Sequence, residues 1–434
     1  MTSERHEFEV LVVGAGPAGL AAACVAAEAG RKVALVDNSP WLGGQIWRGE
    51  EANPVQRVAR HWLQRVKTGR VAVFRPAAVF AASSPQALLA ETPAGVLELG
   101  WQRLVIATGA RERFLPFPGW TLPGVVGPGG LQTLVKAGWP IAGRRVVVAG
   151  SGPLLLAVAA GLKQHGAQIR LIAEQAPWSS LLPFSFRLLP HPGKLAQGLW
   201  LKARLRGAPY RAGCWPVRAT GTESVRQATF TNGRRTWSEV CDYLACGFNL
   251  VPNLELARLL GCHIADGFVQ VNEFQETTAK NVFCAGEPTG IGGADCALVE
   301  GRIAGLAAAG QAGQARGSFA RRARWHRFRR ALSDAFALRP ELRRIADDDT
   351  VVCRCEDVRR EELERHDGWR TAKIHTRCGM GACQGRTCGD ATNFLFGWTN
   401  ESVRPPLLPV RMESLFSPVA AANPNSTSAA ETKP

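Results

Sequence analysis

Cysteine is the residue type here best suited to holding a metal, and the cysteines are unevenly spread. Five of the chain's 12 fall between residues 353 and 388. Cys353 and Cys355 stand in VVCRCEDV, and Cys378, Cys383 and Cys388 follow in TRCGMGACQGRTCG. A Cys-x-Cys pair with a distant second pair can supply four thiolates to two irons. Zinc also takes four cysteines, but its usual spacing is Cys-x2-Cys rather than Cys-x-Cys with Cys-x4-Cys. Reduced structural thiols are the third reading.

A different chemistry opens the chain. Residues 8–13 are mostly apolar and β-branched, and Gly14, Gly16 and Gly19 follow as G-x-G-x-x-G. An Ala-rich stretch ends at Gly30, and a second apolar run ends in Asp37. This order predicts strand, tight turn, helix and strand. Gly14 permits the turn, Gly16 lets the backbone approach a pyrophosphate, and Gly19 lets helix and strand pack closely, while the helix N-terminus attracts phosphate. Asp37, 23 residues after Gly14, is placed to accept from ribose hydroxyls. No Cys-x4-Cys follows this cradle. Cys24 reads as a core thiol, and a disulfide reductase mechanism is disfavoured.

Three further segments carry a resemblance to FAD enzymes of the glutathione reductase type. PWLGGQIW, with Gly44 and Gln45, resembles the loop that brings backbone near the cofactor. LVIATGARERFLPFPGW, with Thr108 and Gly109, resembles the segment where the chain leaves the FAD domain. TAKNVFCAGEPTGIGG, with Gly286 and Glu287, resembles the return. The resemblance implies FAD in the first cradle, Glu287 on the ribityl chain, and a helix beginning near Asp295 with its positive end toward the flavin.

Residues 144–174, RRVVVAGSGPLLLAVAAGLKQHGAQIRLIAE, repeat the cradle pattern with Gly150 and Gly152. Leu155 takes the third glycine position, where a branched side chain should push the helix from the strand. Glu174 ends the second run and suits a ribose hydroxyl while repelling a 2′-phosphate. The pattern predicts a second Rossmann-like domain and leaves open whether its cleft holds NAD, another nucleotide or nothing.

These elements predict an α/β protein with two Rossmann-like dinucleotide-binding domains, one inserted in the other, and a small C-terminal iron–sulfur domain. The expected boundaries are 1–112 with 250–312 for the FAD domain and 113–249 for the insert. A basic helical linker over 313–350, a cysteine domain over 351–412 and a disordered tail over 413–434 complete the chain.

Hydrophobic residues are 46% and charged residues 20% of the 434, ordinary values for a globular protein. The net charge is +16, much of it within residues 320–344. There Trp325, Phe328, Leu332 and Phe336 recur among arginines, which predicts an amphipathic helix with a basic face, docked on an acidic neighbour or solvated. No nucleic-acid recognition motif accompanies the charge. No signal peptide or apolar run long enough to span a bilayer is evident, so a cytoplasmic protein is expected, compatible with peripheral membrane association.

The order of FAD cradle, altered second cradle, flavin return, basic helix and cysteine domain resembles a family over residues 8 to about 412. Its members are the A subunits of opine oxidases, the alpha subunit of D-hydroxyproline dehydrogenase and the B subunit of hydrogen cyanide synthase. The cysteine segment resembles bacterioferritin-associated ferredoxin, which carries a [2Fe–2S] cluster. Related sequences often carry Ala where Cys378 stands, so the resemblance implies Cys353, Cys355, Cys383 and Cys388 as ligands, with Cys378 the alternative. It further implies an electron-handling subunit beside a D-amino-acid-oxidase-like flavoprotein, with or without a small ferredoxin-like subunit. The substrate would be an amine of the opine, hydroxyproline, proline or glycine type. No catalytic base is evident in this chain. A self-sufficient NADH-dependent reductase and a non-catalytic redox sensor are the alternatives.

Overall fold

The structure, a computed structural model, describes residues 4–52, 55–399 and 403–416. Strand β1 (Glu4–Val13) runs into Gly14, whose φ of +107° lets the chain turn sharply into α1 (Pro17–Glu28). Pro17 suits the first turn of α1, and its alanines suit the interior. There follow β2 (Val33–Val36), α2 (Arg57–Thr68), β3 (Val71–Phe74), β4 (Ala78–Ser84), β5 (Ala87–Thr92) and β6 (Gly95–Ile106). The strands order as β3-β2-β1-β6-β5-β4 in one sheet. Pairings among β3, β2, β1 and β6 are parallel, and β5 is antiparallel to both β6 and β4.

Strand β7 (Ala110–Glu112) carries the chain out to the second domain. That domain contains β8 (Val125–Val126), α3 (Pro128–Lys136), β9 (Arg145–Ser151), α4 (Leu154–Gln164) and β10 (Gln168–Glu174). Helices α5 (Trp178–Arg187) and α6 (Pro192–Arg204) precede β11 (Tyr210–Ala212). An antiparallel meander of β12 (Trp215–Thr220), β13 (Gln227–Thr231) and β14 (Thr236–Val240) leads to β15 (Tyr243–Phe248). The central sheet here is parallel in the order β11-β10-β9-β15-β8. Strand β16 (Leu250–Pro252) brings the chain back and pairs antiparallel with β7, so one two-stranded ribbon joins the domains.

After α7 (Glu255–Leu259) and the hairpin β17 (Ile264–Ala265) and β18 (Phe268–Val269), β19 (Val282–Cys284) adds parallel to β6. The first sheet is thus made from both ends of a chain that leaves and returns. Helix α8 (Gly293–Ala308) packs on α1 at close range: a Cβ at Gly301 would collide with the Ala18 carbonyl, and one at Gly305 with the Ala22 carbonyl. Then come α9 (Ala312–Arg316) and the basic α10 (Phe319–Ala335). The cysteine domain holds the hairpin β20 (Val351–Cys353) and β21 (Val358–Arg359), then α11 (Arg360–Glu364), α12 (Trp369–Thr376) and α13 (Cys388–Phe396). A last helix, α14 (Met412–Phe416), is tied to β5 by Ser414 Oγ donating to Glu91 Oε1. The expected tail from 413 therefore starts too early, and residues 417–434 lie outside the described residues. Among the described residues no helix is long and apolar enough to cross a membrane.

Candidate flavin and iron–sulfur sites

The two cradles face one cavity of about 2510 Å³. In the first, the glycines divide their work as their positions require. A Cβ at Gly14 would strike the Ala107 carbonyl and one at Gly19 the Gly14 carbonyl, so both serve close packing. A Cβ at Gly16 would meet no protein atom within 4 Å, which leaves open space where a pyrophosphate belongs. Gly44, at φ +60°, brings its loop to within 3.0 Å of Gly16 Cα, measured from the Cβ it lacks. Gln45 and Gly109 line the same cavity. Asp37 is already engaged: Oδ2 accepts from Ala15 N at 2.5 Å and Oδ1 from Ser39 N at 2.7 Å. Burial pushes its carboxyl up, against the pull of those two amides. Thr108 turns its hydroxyl to the Asn253 carbonyl at 2.8 Å, so it holds the crossing between domains.

The return loop carries a cofactor-shaped deficit. Glu287 Oε1 accepts from Gly293 N at 2.9 Å, while Oε2 is enclosed without a partner. Burial pushes the carboxyl up to about 7. A buried oxygen without a donor is rare unless a ligand supplies one, and flavin ribityl hydroxyls would. Open space at Gly16 and this oxygen together fit FAD. Helix α8 begins at Gly293, two residues before Asp295, and its N-terminal residues border the cavity.

Sequence reasoning missed what holds this loop. Glu300 on α8 is 1% exposed. Its Oε2 accepts from Gly286 N and Thr289 Oγ, both at 2.9 Å. Its Oε1 lies 2.7 Å from His326 Nε2 and 3.5 Å from Arg329 Nη1 on α10. Arg329 also donates to the Thr289 carbonyl at 3.0 Å. Partners hold the Glu300 carboxyl below its ordinary value despite burial, His326 foremost among them. The acidic neighbour of the basic helix is thus a buried carboxylate in another helix, which no local pattern reveals. Phe328 and Phe336 are buried, as the apolar stripe predicts.

The second cradle mirrors the first. Glu174 takes the Gly152 amide at 2.8 Å and the Ala176 amide at 2.9 Å, and burial pushes it up to about 7. Gly150 abuts the Gly247 carbonyl as Gly14 abuts Ala107. Leu155 is buried in the core below, and α4 starts one position later, relative to its glycines, than α1 does.

In the cysteine domain all five thiols converge. Cys353, Cys378 and Cys388 have sulfurs within 4.8 Å of one another. A cavity of about 300 Å³ is lined by Cys353, Cys355, Cys383 and Cys388, with Phe114, Trp120 and Arg354 among its other walls. Cys378 is fully buried beside it and does not line it. Two irons need room as well as sulfur, which favours the four that line the cavity. Cys388 opens α13, and its hydrogen bonds to Cys353, Cys378 and Cys383 push its own thiol well up. Hydrogen bonds from Cys378 and Cys388 push Cys353 down to about 2, and Cys388 chiefly brings Cys383 down to about 4. Gly379 N donates to Cys353 Sγ at 3.5 Å. Gly379 and Gly385 also make room for the ring of Trp369, a packing role that the spacing does not disclose.

Comparison with known proteins places this geometry. The model of the pyridine nucleotide-disulphide oxidoreductase family matches residues 8–313. The chain belongs to that family. As an FAD-dependent oxidoreductase it shares the family's α/β fold, with the parallel sheets and dinucleotide cradles expected from the sequence. It is 31% identical over 419 residues to hydrogen cyanide synthase subunit HcnB of Pseudomonas protegens, covering 87% of this chain and 89% of that one. It is 29% identical over 455 residues to the A-type subunit of the opine oxidase of Rhizobium meliloti, covering 93% and 97%. L-proline dehydrogenase from P. horikoshii superposes with a TM-score of 0.72 at 19% identity, covering 96% of this chain and 80% of that chain. Thioredoxin reductase of T. acidophilum gives 0.54 at 18%, covering 70% and 98%. The two structural likenesses speak to the fold. Helix α10 and the cysteine domain lie beyond the family match.

Proposed function

We propose that this chain is the electron-handling subunit of an amine or amino-acid dehydrogenase or oxidase, with FAD in the first cradle and a [2Fe–2S] cluster on Cys353, Cys355, Cys383 and Cys388. FAD takes electrons in pairs and releases them singly, and a cluster carries one at a time. The observation that carries the reading is the shared wall: Phe114 and Arg354 line both the flavin cavity and the cysteine cavity. Arg113, beside Phe114, fixes the cysteine domain through Asp390 at 2.6 Å, and Arg111 donates to the Arg386 carbonyl at 3.1 Å.

The roles of this chain's residues follow. Gly16 would leave room for a pyrophosphate with the Gly44 loop packed beside it, Glu287 would accept from ribityl hydroxyls, and the α8 N-terminus would favour negative charge on a bound flavin. Glu112 lines the flavin cavity and accepts from Gly129 N at 2.7 Å. Substrate oxidation is assigned to a D-amino-acid-oxidase-like partner, acting on an opine, hydroxyproline, proline or glycine type of amine. Two relatives are named as subunits. Phe186 on α5 and Trp200 on α6 are 71% and 53% exposed, apolar groups that a partner would cover. The test is co-expression with such a partner. Amine-dependent dye reduction by the pair and none by the isolated chain is expected; full turnover by this chain alone overturns the reading.

A further inference from the structure

We propose that residues 336–339, just past α10, form a built-in strap across the dinucleotide crevice of the second Rossmann domain, so that this cleft takes no NAD(H). The inference deepens the proposed function by removing one electron donor, and it stands on contacts between this segment and the second domain.

Open α/β sheets bind ligands outside the carboxyl ends of their strands, where the strand order reverses. In the order β11-β10-β9-β15-β8 that point lies between β9 and β15. Its lips are Ser151 at the end of β9, Gly152 after it, and Asn249 after β15. Asn249 Nδ2 donates to the Phe336 carbonyl at 2.8 Å, and Ser151 Oγ donates to the same oxygen at 3.3 Å. From the end of β10, Gln175 Nε2 donates to the Ala337 carbonyl at 3.1 Å, and Gln175 Oε1 accepts from Arg339 N at 3.2 Å. Donors from three loops at the mouth of the crevice are thus spent on the chain's own backbone. The carbonyl oxygens of Phe336 and Ala337 are thereby fixed at the mouth of the crevice, where they would repel a pyrophosphate.

The strap is anchored on both sides. Phe336 is 6% exposed, packs with Ala176 and Ala335, and meets Phe184 of α5 edge-on at 5.4 Å. Beyond it, the Arg339 guanidinium lies 4.7 Å from the Trp215 ring centre. Upstream, His326 and Arg329 pin α10 to Glu300. The first cradle has no such segment across it: a Cβ at Gly16 would meet no protein atom within 4 Å, while one at Gly152 would meet the Asn249 side chain that holds the strap, at 3.3 Å.

The experiment uses the full-length flavin-loaded chain and NADH as the probe, read by equilibrium dialysis and by tryptophan fluorescence. The wild-type chain is expected to show no saturable binding up to about 1 mM, and Phe336→Ala, which removes the anchor, to gain affinity by at least about tenfold. A second variant, Ser151→Ala with Asn249→Ala, releases the Phe336 carbonyl without touching the aromatic cluster and is expected to gain likewise. Micromolar binding by the wild-type chain overturns the strap. So does silence in both variants with Leu155→Gly binding, which would put the block at the lost glycine. Because the readout is nucleotide binding, its failure leaves the partner-dependent activity to be judged separately.

Discussion

Gly14 and Gly16 stand two residues apart and answer to different forces. Gly14 has φ +107° and no space for a Cβ, so Gly14→Ala is expected to give insoluble or unfolded protein. Gly16 has φ −73° and free space, so Gly16→Val is expected to fold with an unchanged melting curve in the flavin-free state and to lose bound FAD, read from visible absorption. The thiols separate the same way. Serine at Cys353, Cys355, Cys383 or Cys388 is expected to lower iron to well below two per chain and bleach the visible bands, with FAD retained. Cys378→Ser is expected to keep most of the iron. The reverse pattern, measured by iron analysis and electron paramagnetic resonance, would exchange Cys378 for Cys388. Glu287 adds a pH dependence. Its folded carboxyl titrates at about 7 against an ordinary 4.5, so the folded state holds the extra proton between those values. In the flavin-free chain this makes stability fall as pH rises from 4.5 to 7, by about 3 kcal/mol from this group. Glu287→Gln removes that share of the slope in denaturant titrations, and an unchanged slope would place the orphan oxygen elsewhere.

At the scale of elements, α10 is the piece whose sequence says least about its work. Its arginines read as a solvated basic face, and several are exposed. The residues that matter are His326 and Arg329, one turn apart and turned inward on Glu300. Removing one partner of a buried charge costs about 3 kcal/mol or more, because the other is left without compensation. Arg329→Met is therefore expected to lower the melting temperature and loosen flavin, since Arg329 also holds the Thr289 carbonyl of the return loop. Glu300→Gln with Arg329→Met is expected to recover much of the loss, as measured by calorimetry. A harmless Arg329→Met would mean that His326 alone satisfies Glu300.

For the molecule as a whole, the two candidate sites share a wall of Phe114, just past β7, and Arg354, and the cysteine domain is docked nearby by Arg113, Arg111 and the Trp120 indole, which donates to the Val351 carbonyl at 2.6 Å. Arg113 and Asp390 are both largely shielded, and two Arg113 nitrogens reach the two carboxylate oxygens. Arg113→Ala is expected to cost about 2 kcal/mol of docking. Faster hydrogen exchange in residues 388–396 would report it, while iron and flavin stay bound. Unchanged exchange would show that the indole and Arg111 suffice.

Local patterns determined a good deal by themselves. Glycine spacing after an apolar run, an acidic residue at the next strand end and a cysteine cluster each report physics that acts within a few tens of residues. They located both cradles, the return loop and the thiols. Tertiary structure decided the rest, because it depends on groups brought together from far apart in sequence. The unpaired oxygen of Glu287, the Glu300–His326–Arg329 cluster, and the carbonyl of Phe336 between Ser151 and Asn249 are of this kind. So is the cavity that four of five cysteines line. A buried charge or a filled crevice is defined by what surrounds it, and those surroundings exist only once the chain has folded.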